Sequence, residues 1–212
     1  MKKITQFIAL IMVPFVLAAC NNSLERATRT VGLMQEDMSK IVNQLSEIQM
    51  LESNLQSDFD NTLAGTDDLN VFLKEDSPVS LNLSKRKEHL TTLKDTMNSL
   101  VELADELIAL NKNTHLPVEQ FTALHHEVKT LESALTVYIT DYQNGLAQES
   151  ISFKSIANPD ADYANFFGVM SNVNQLAVTN NINLDKVLPS FEPINSQLIN
   201  VKVTLVNMAD NK

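Results

Sequence analysis

The most constraining feature of the chain is a run of apolar residues at Leu24, Ala27, Val31, Met34, Met38, Ile41, Leu45, Ile48, Leu55 and Phe59. The spacing alternates three and four for five heptads, with one fault at Glu52. An apolar stripe of this period is the signature of an amphipathic helix that must pack along its whole length against partners. Two more stripes follow. One runs Leu83, Leu90, Leu93, Met97, Leu100, Ala104, Leu107, and the other Phe121, Leu124, Val128, Leu131, Leu135, Tyr138, Tyr142. Little interrupts them, because glycine and proline together make up only 10 of 212 residues, and these are the residues that most strongly break or turn a backbone.

The breaks that do occur divide the chain. Gly65 and Thr66-Asp67-Asp68 end the first helix. A short segment with Leu69, Val71, Phe72 and Leu73 precedes Ser77-Pro78, where Ser77 is placed to cap and Pro78 to occupy a first turn. The Asn111-Lys112-Asn113 cluster closes the second helix, Pro117 restarts the chain, and the third pattern runs through Gly145 to about Phe153. Asn158-Pro159-Asp160 reads as the start of a fourth helix carrying Tyr163, Phe166, Phe167, Met170, Val173 and Leu176, with Asn180, Asn181 and Asn183 as its stop. Pro189 and Pro193 mark a turn before a last segment with Ile194, Leu198, Val201, Leu205 and Met208. Its Val201-x-Val203-x-Leu205 alternation also fits a strand, but a lone strand has no partner, so helix is expected. The expected fold is all-α: an elongated antiparallel bundle, one domain over residues 24–212, with three long helices and two shorter C-terminal ones.

The first nineteen residues have a different character. Lys2 and Lys3 precede an apolar stretch from Phe7 to Ala19, and small residues stand just before the only cysteine, in Leu17-Ala18-Ala19-Cys20. This is the layout of a signal peptide. Thirteen apolar residues rise about 20 Å as a helix, short of a hydrocarbon core of about 30 Å, and Pro14 interrupts them. The L-A-A-C string resembles the bacterial lipobox. That resemblance implies recognition by a signal peptidase at Leu17, Ala18 and Ala19, removal of residues 1–19, and a diacylglyceryl group on the Cys20 thiol. Residues 20–23 would be a lipidated tether, and the chain would be held on the extracytoplasmic face of the cell membrane. Two acyl chains are the double signal that stable anchoring requires. With Cys20 consumed no thiol remains for a disulfide, so the remaining 193 residues must be held by their core.

Charge and composition exclude several functions. The net charge of −10 offers no broad basic field to nucleic acid. Loss of Lys2 and Lys3 leaves 14 basic against 26 acidic side chains, −12 for the mature chain. Gly32, Gly65, Gly145 and Gly168 are too far apart to form a phosphate-cradling loop, and no cofactor is expected. No GxSxG, SxxK or HExxH pattern occurs. His125 and His126 are adjacent and point about 100° apart on a helix, so they do not converge on a metal ion. Asp160-x-Asp162 lacks the glycine and distal glutamate of a calcium loop. Lys85-Arg86-Lys87 reads as a solvated helix face, with an anion contact as the alternative.

The densest aromatic region is Tyr138, Tyr142, Phe153, Tyr163 and Phe166. These rings either fill the end of the bundle or line a groove for a partner. Here the chain resembles the YkyA-like cell-wall-binding lipoproteins of Gram-positive bacteria. The resemblance rests on Leu131-x-x-x-Leu135-x-x-Tyr138-x-x-x-Tyr142-x-x-x-Leu146-x-x-Glu149-x-x-x-Phe153, on Asp162-Tyr163-x-x-Phe166 and on Val173-Asn174, behind the lipobox. It implies a helical lipoprotein outside the cytoplasmic membrane, with no catalytic residues to carry over, in contact with peptidoglycan or another envelope protein. An envelope hydrolase or its activator is a second reading. A ligand-binding lipoprotein of a transporter is a third, disfavoured because such folds alternate strands and helices around a cleft.

Overall fold

The computed structural model describes the backbone of residues 2–64, 67–110 and 115–211, and the side chains of 23–64, 67–110, 115–162 and 164–211. The elements are α1 (Lys2–Ala64), α2 (Pro78–Leu110), α3 (Val118–Ser155), α4 (Tyr163–Val187) and α5 (Phe191–Asp210). Short 3₁₀ turns lie at Leu69–Leu73 and Leu188–Ser190. No strand occurs among the described residues, and the all-α expectation is met, including helix across Val201, Val203 and Leu205. Gly65 and Asn111-Lys112-Asn113, expected to end the first and second helices, lie outside the described residues.

The chain divides into two compact units, one of residues 1–38, 99–130 and 190–212, the other of 39–98 and 131–189. In the first, Leu24, Ala27, Val31, Met34 and Met38 of α1 are buried, as are Leu100, Ala104 and Leu107 of α2, Phe121, Leu124 and Val128 of α3, and Ile194, Leu198, Val201 and Leu205 of α5. Each fully buried large side chain contributes about 1.5–3 kcal/mol relative to exposure. Polar contacts fasten the rim. Arg26 donates to Glu106 at 2.8 Å, Thr30 to the same carboxylate at 3.3 Å, and Ser99 to Asp37 at 2.6 Å. Lys202 of α5 donates to Gln35 of α1 at 3.0 Å.

In the second unit Leu55, Phe59, Phe72, Val79, Phe153, Ile156, Val169 and Val173 form one core. Its rings touch: the Phe59 centroid is 5.5 Å from Phe72 and 5.9 Å from Phe153, within the range of attractive aromatic pairs. The 3₁₀ turn serves this core by delivering Phe72, and Asp68 caps it by accepting from the Asn70 amide. α2 begins where Ser77-Pro78 predicted, with the Ser80 amide donating to the Ser77 hydroxyl at 3.3 Å.

Both α4 boundaries differ from expectation. Asn158 does not cap; its side chain accepts from the Asp160 amide in a turn, and Asp162 caps instead, forming a reciprocal capping box with Asn165. Nor do the asparagines stop the helix, which continues to Val187. Asn180 and Asn183 are buried and donate to Glu52 and Asp141. A side-chain amide that finds a tertiary acceptor no longer competes for its own backbone, which removes the reason asparagine disfavours helix interiors. Pro193, expected in a turn, sits in the first turn of α5, where a missing amide hydrogen costs nothing.

Candidate functional site

The fault in the first apolar stripe organises the second unit. Glu52 follows Ile48 by four residues and precedes Leu55 by three, so the helix that buries its neighbours carries a carboxylate inward with them. The answering cation is Arg86 of α2, whose side chain is 0% exposed. It corrects the reading of Lys85-Arg86-Lys87 as a solvated face: Lys85 and Lys87 are exposed, while Arg86 lies on the inward side of the helix.

Each of the three Arg86 guanidinium nitrogens donates a hydrogen bond. Nε donates to the Asn82 side-chain oxygen at 2.8 Å, Nη1 to the Tyr142 hydroxyl at 3.2 Å and to Glu149 Oε1 at 3.3 Å, and Nη2 to Glu149 Oε2. Glu52 Oε1 stands 4.0 Å from Nη1. The paired Arg–carboxylate fork is the strongest geometry available to such a pair. The guanidinium also lies 5.9 Å from the Tyr142 ring centre, within cation–π range. Asn82, which orients Arg86, is itself fixed by donating to the Leu51 carbonyl and to Asp58, both at 2.7 Å. Glu52 is held in turn by Asn180 of α4 at 2.7 Å. One buried cluster thereby joins α1, α2, α3 and α4.

Burial raises the Glu52 carboxyl above the ordinary glutamate value, offset in part by the Asn180 amide and the Arg86 charge. For Arg86, burial alone would favour loss of the proton, but Tyr142 and Glu149 outweigh it and hold the guanidinium above its usual value. Burial likewise pushes both Tyr138 and Tyr142 up, so the hydroxyls stay neutral and available as hydrogen-bond partners.

What this arrangement can do chemically follows from its access. A cavity of about 150 Å³ reaches Glu52 and Glu149, with Ser53, Gln56 and Asn174 on its walls. At about 30 Å³ per molecule it has room for roughly five waters. The side chains of Glu149 and Glu52 are 1% and 10% exposed, and the cluster acts as an internal pin that fixes the register of four helices. Among the described residues no group of three His, Cys, Asp or Glu side chains could hold a metal ion. His125 pairs with Asp105 at 2.8 Å, and its neighbour His126 is exposed.

The aromatic residues expected to meet do so only in part. Tyr138 and Tyr142 form one pair, 5.6 Å between centroids, beside Arg86. Phe153 belongs to the phenylalanine core, and Phe166 packs half-buried against it. Tyr138, Tyr142 and Phe153 are 2%, 1% and 2% exposed, so of the two alternatives, bundle interior or partner groove, these three rings take the first. The Tyr163 side chain lies outside the described residues, as do those of Leu17, Ala18, Ala19 and Cys20. Among the described residues no helix is long and apolar enough to cross a membrane.

Arg86, Asn82 and Asn180 are the residues that the sequence reading missed. A signal was present. Glu149 lies three residues from Leu146 and four from Phe153, as Glu52 lies in α1, and Arg86 fills the gap in the α2 stripe between Leu83 and Leu90. Three helices each carry a charge where an apolar residue is due.

Leu131, Leu135, Tyr138, Tyr142, Leu146, Glu149 and Phe153, the residues that carried the family resemblance, form one buried face of α3. No curated protein and no solved structure matches the chain. The family model of YkyA, described as "putative cell-wall binding lipoprotein", matches residues 22–197, most of the chain, and the protein therefore belongs to the YkyA family.

Proposed function

We propose that the protein is a non-enzymatic lipoprotein, anchored through diacylglyceryl-Cys20 to the outer face of the cytoplasmic membrane, whose helical body binds the cell wall or an envelope protein. The family match over residues 22–197 carries this reading. The Leu17-Ala18-Ala19-Cys20 string supports the anchor, since two acyl chains supply more than 20 buried methylenes at about 0.8 kcal/mol each. The buried state of the Glu52–Arg86–Glu149 cluster supports a binding rather than a hydrolytic role, because a general acid or base must come within hydrogen-bond reach of its substrate.

The test has two parts. Cys20→Ser should leave the precursor unlipidated and move the protein out of the detergent phase; unchanged partitioning removes the anchor. Wild-type protein should co-sediment with isolated wall sacculi, or with a crosslinked envelope protein, without releasing muropeptides. Release of muropeptides by the pure protein establishes the hydrolase instead.

A further inference from the structure

A groove of about 930 Å³ lies between the first turns of α2 and the last turns of α3, on the second unit. It is built from two polar stripes at helical spacing. Ser80, Ser84 and Lys87 follow one another at four and three residues along α2, and Gln143, Ser150 and Lys154 line the facing side of α3. Leu83 and Leu146 form an apolar floor, and the exposed Leu73 and Leu81 stand at the rim.

In this unit α2 and α3 run antiparallel, since Val79 shares a core with Phe153 while Arg86 reaches Tyr142 and Glu149. Lys154 therefore stands at the Ser80 end and Lys87 at the Gln143 end. Ser80 and Lys87 are seven residues apart on α2, about 10 Å, and Gln143 and Lys154 eleven apart on α3, about 16 Å. Both lysines are exposed, and neither ammonium has a carboxylate partner among the described residues. In a chain of net charge −10, two unpaired cations facing one groove invite an anion there. At physiological salt, charges more than about 8 Å away are largely screened, so the local pair outweighs the acidic body at contact distance.

We infer that this groove binds a phosphodiester-linked polyol chain of the cell wall, a proposal that rests on the wall-binding reading above and names its ligand. Lysine acts as a point charge toward phosphate, and serine hydroxyls donate to phosphoryl oxygens. Two phosphates along an extended chain would meet Lys87 and Lys154, one toward each end of the groove. Glu75, the one carboxylate on its wall among the described residues, and Gln143 accept from polyol hydroxyls. The leucine floor takes the methylene backbone. Among the described residues no aromatic side chain lines the groove, so a stack of flat sugar rings finds no platform.

The test titrates the full chain, purified in detergent, with a synthetic hexamer of glycerol phosphate by calorimetry. Wild type should bind in a salt-sensitive manner, and K87Q/K154Q should weaken binding by at least about tenfold, the lower end of losing a charge-assisted hydrogen bond. Circular dichroism should be unchanged. K85Q, exposed but outside the groove, should bind as wild type does. Equal binding by K87Q/K154Q, equal loss in K85Q, or binding to phosphatidylglycerol vesicles in place of the hexamer overturns the inference. Failure to bind the hexamer with retained sedimentation on phosphate-stripped sacculi overturns it while leaving the wall-binding reading intact. Loss of binding to the hexamer and to all sacculi overturns both.

Discussion

Replacing Arg86 with methionine tests the buried cluster most sharply. Methionine matches the stem of arginine and is flexible enough to fill the space, so the perturbation is mainly the loss of charge and of four donated hydrogen bonds. Glu149, 1% exposed, is left without its cation, and Glu52 keeps Asn180 and Tyr142 but no positive charge. Removing one partner of a buried pair costs about 3–5 kcal/mol. The pH dependence follows from Glu52, whose carboxyl burial holds above the ordinary glutamate value and which the Arg86 charge holds down in part. Without Arg86 that carboxyl rises further, so the folded variant keeps a proton that its unfolded chain releases, and its stability falls as pH rises. Urea denaturation followed by far-UV circular dichroism, from pH 5 to pH 8, should show Arg86→Met less stable than wild type by about 3–5 kcal/mol at pH 7. The deficit should be smaller at pH 5 than at pH 7. A deficit below about 1 kcal/mol at pH 7, or one independent of pH, would refute the account of Arg86 as the charge that makes Glu149 tolerable in the core.

Glu52→Gln retains an acceptor for Asn180 but removes a carboxyl whose pKa burial raises above 4.5. Because the raised group binds more protons folded than unfolded, wild type loses stability as pH climbs past 4.5 toward the folded value. The variant should gain on wild type across that window in parallel denaturation curves; a constant difference contradicts the burial. Leu135→Ala removes a side chain that is 0% exposed and should cost about 2–5 kcal/mol; a melting curve matching wild type would place Leu135 outside the core. Gly32 lies within α1, and a methyl group there meets nothing within 4 Å. Gly32→Ala should therefore stabilise the protein by about 0.5–1 kcal/mol, and destabilisation in thermal denaturation would show a contact that the helix packing does not contain.

The all-α fold, the burial of the long apolar stripes and the family were legible in the residues themselves. Five heptads of three-and-four spacing admit only a helix with one covered face, and every apolar position named from Leu24 to Phe59 is buried. The start of α2 was legible for the same kind of reason, since Ser77-Pro78 is a local signal completed by a local bond. Where a decision depended on residues distant in the chain, local signals failed. Asn180 resembles a helix stop until Glu52, 128 positions away, accepts its amide. Arg86 resembles a surface cation until Glu149 and Tyr142 close around it. The aromatic residues from Tyr138 to Phe166 could be counted but not apportioned between core and surface, because solvent exposure depends on which helices cover them. Periodicity settles what a helix must bury, being a property of one segment. Only the packed structure decides which charge meets which, because a desolvated ion is stable only beside its partner, and that partner is brought there by the fold.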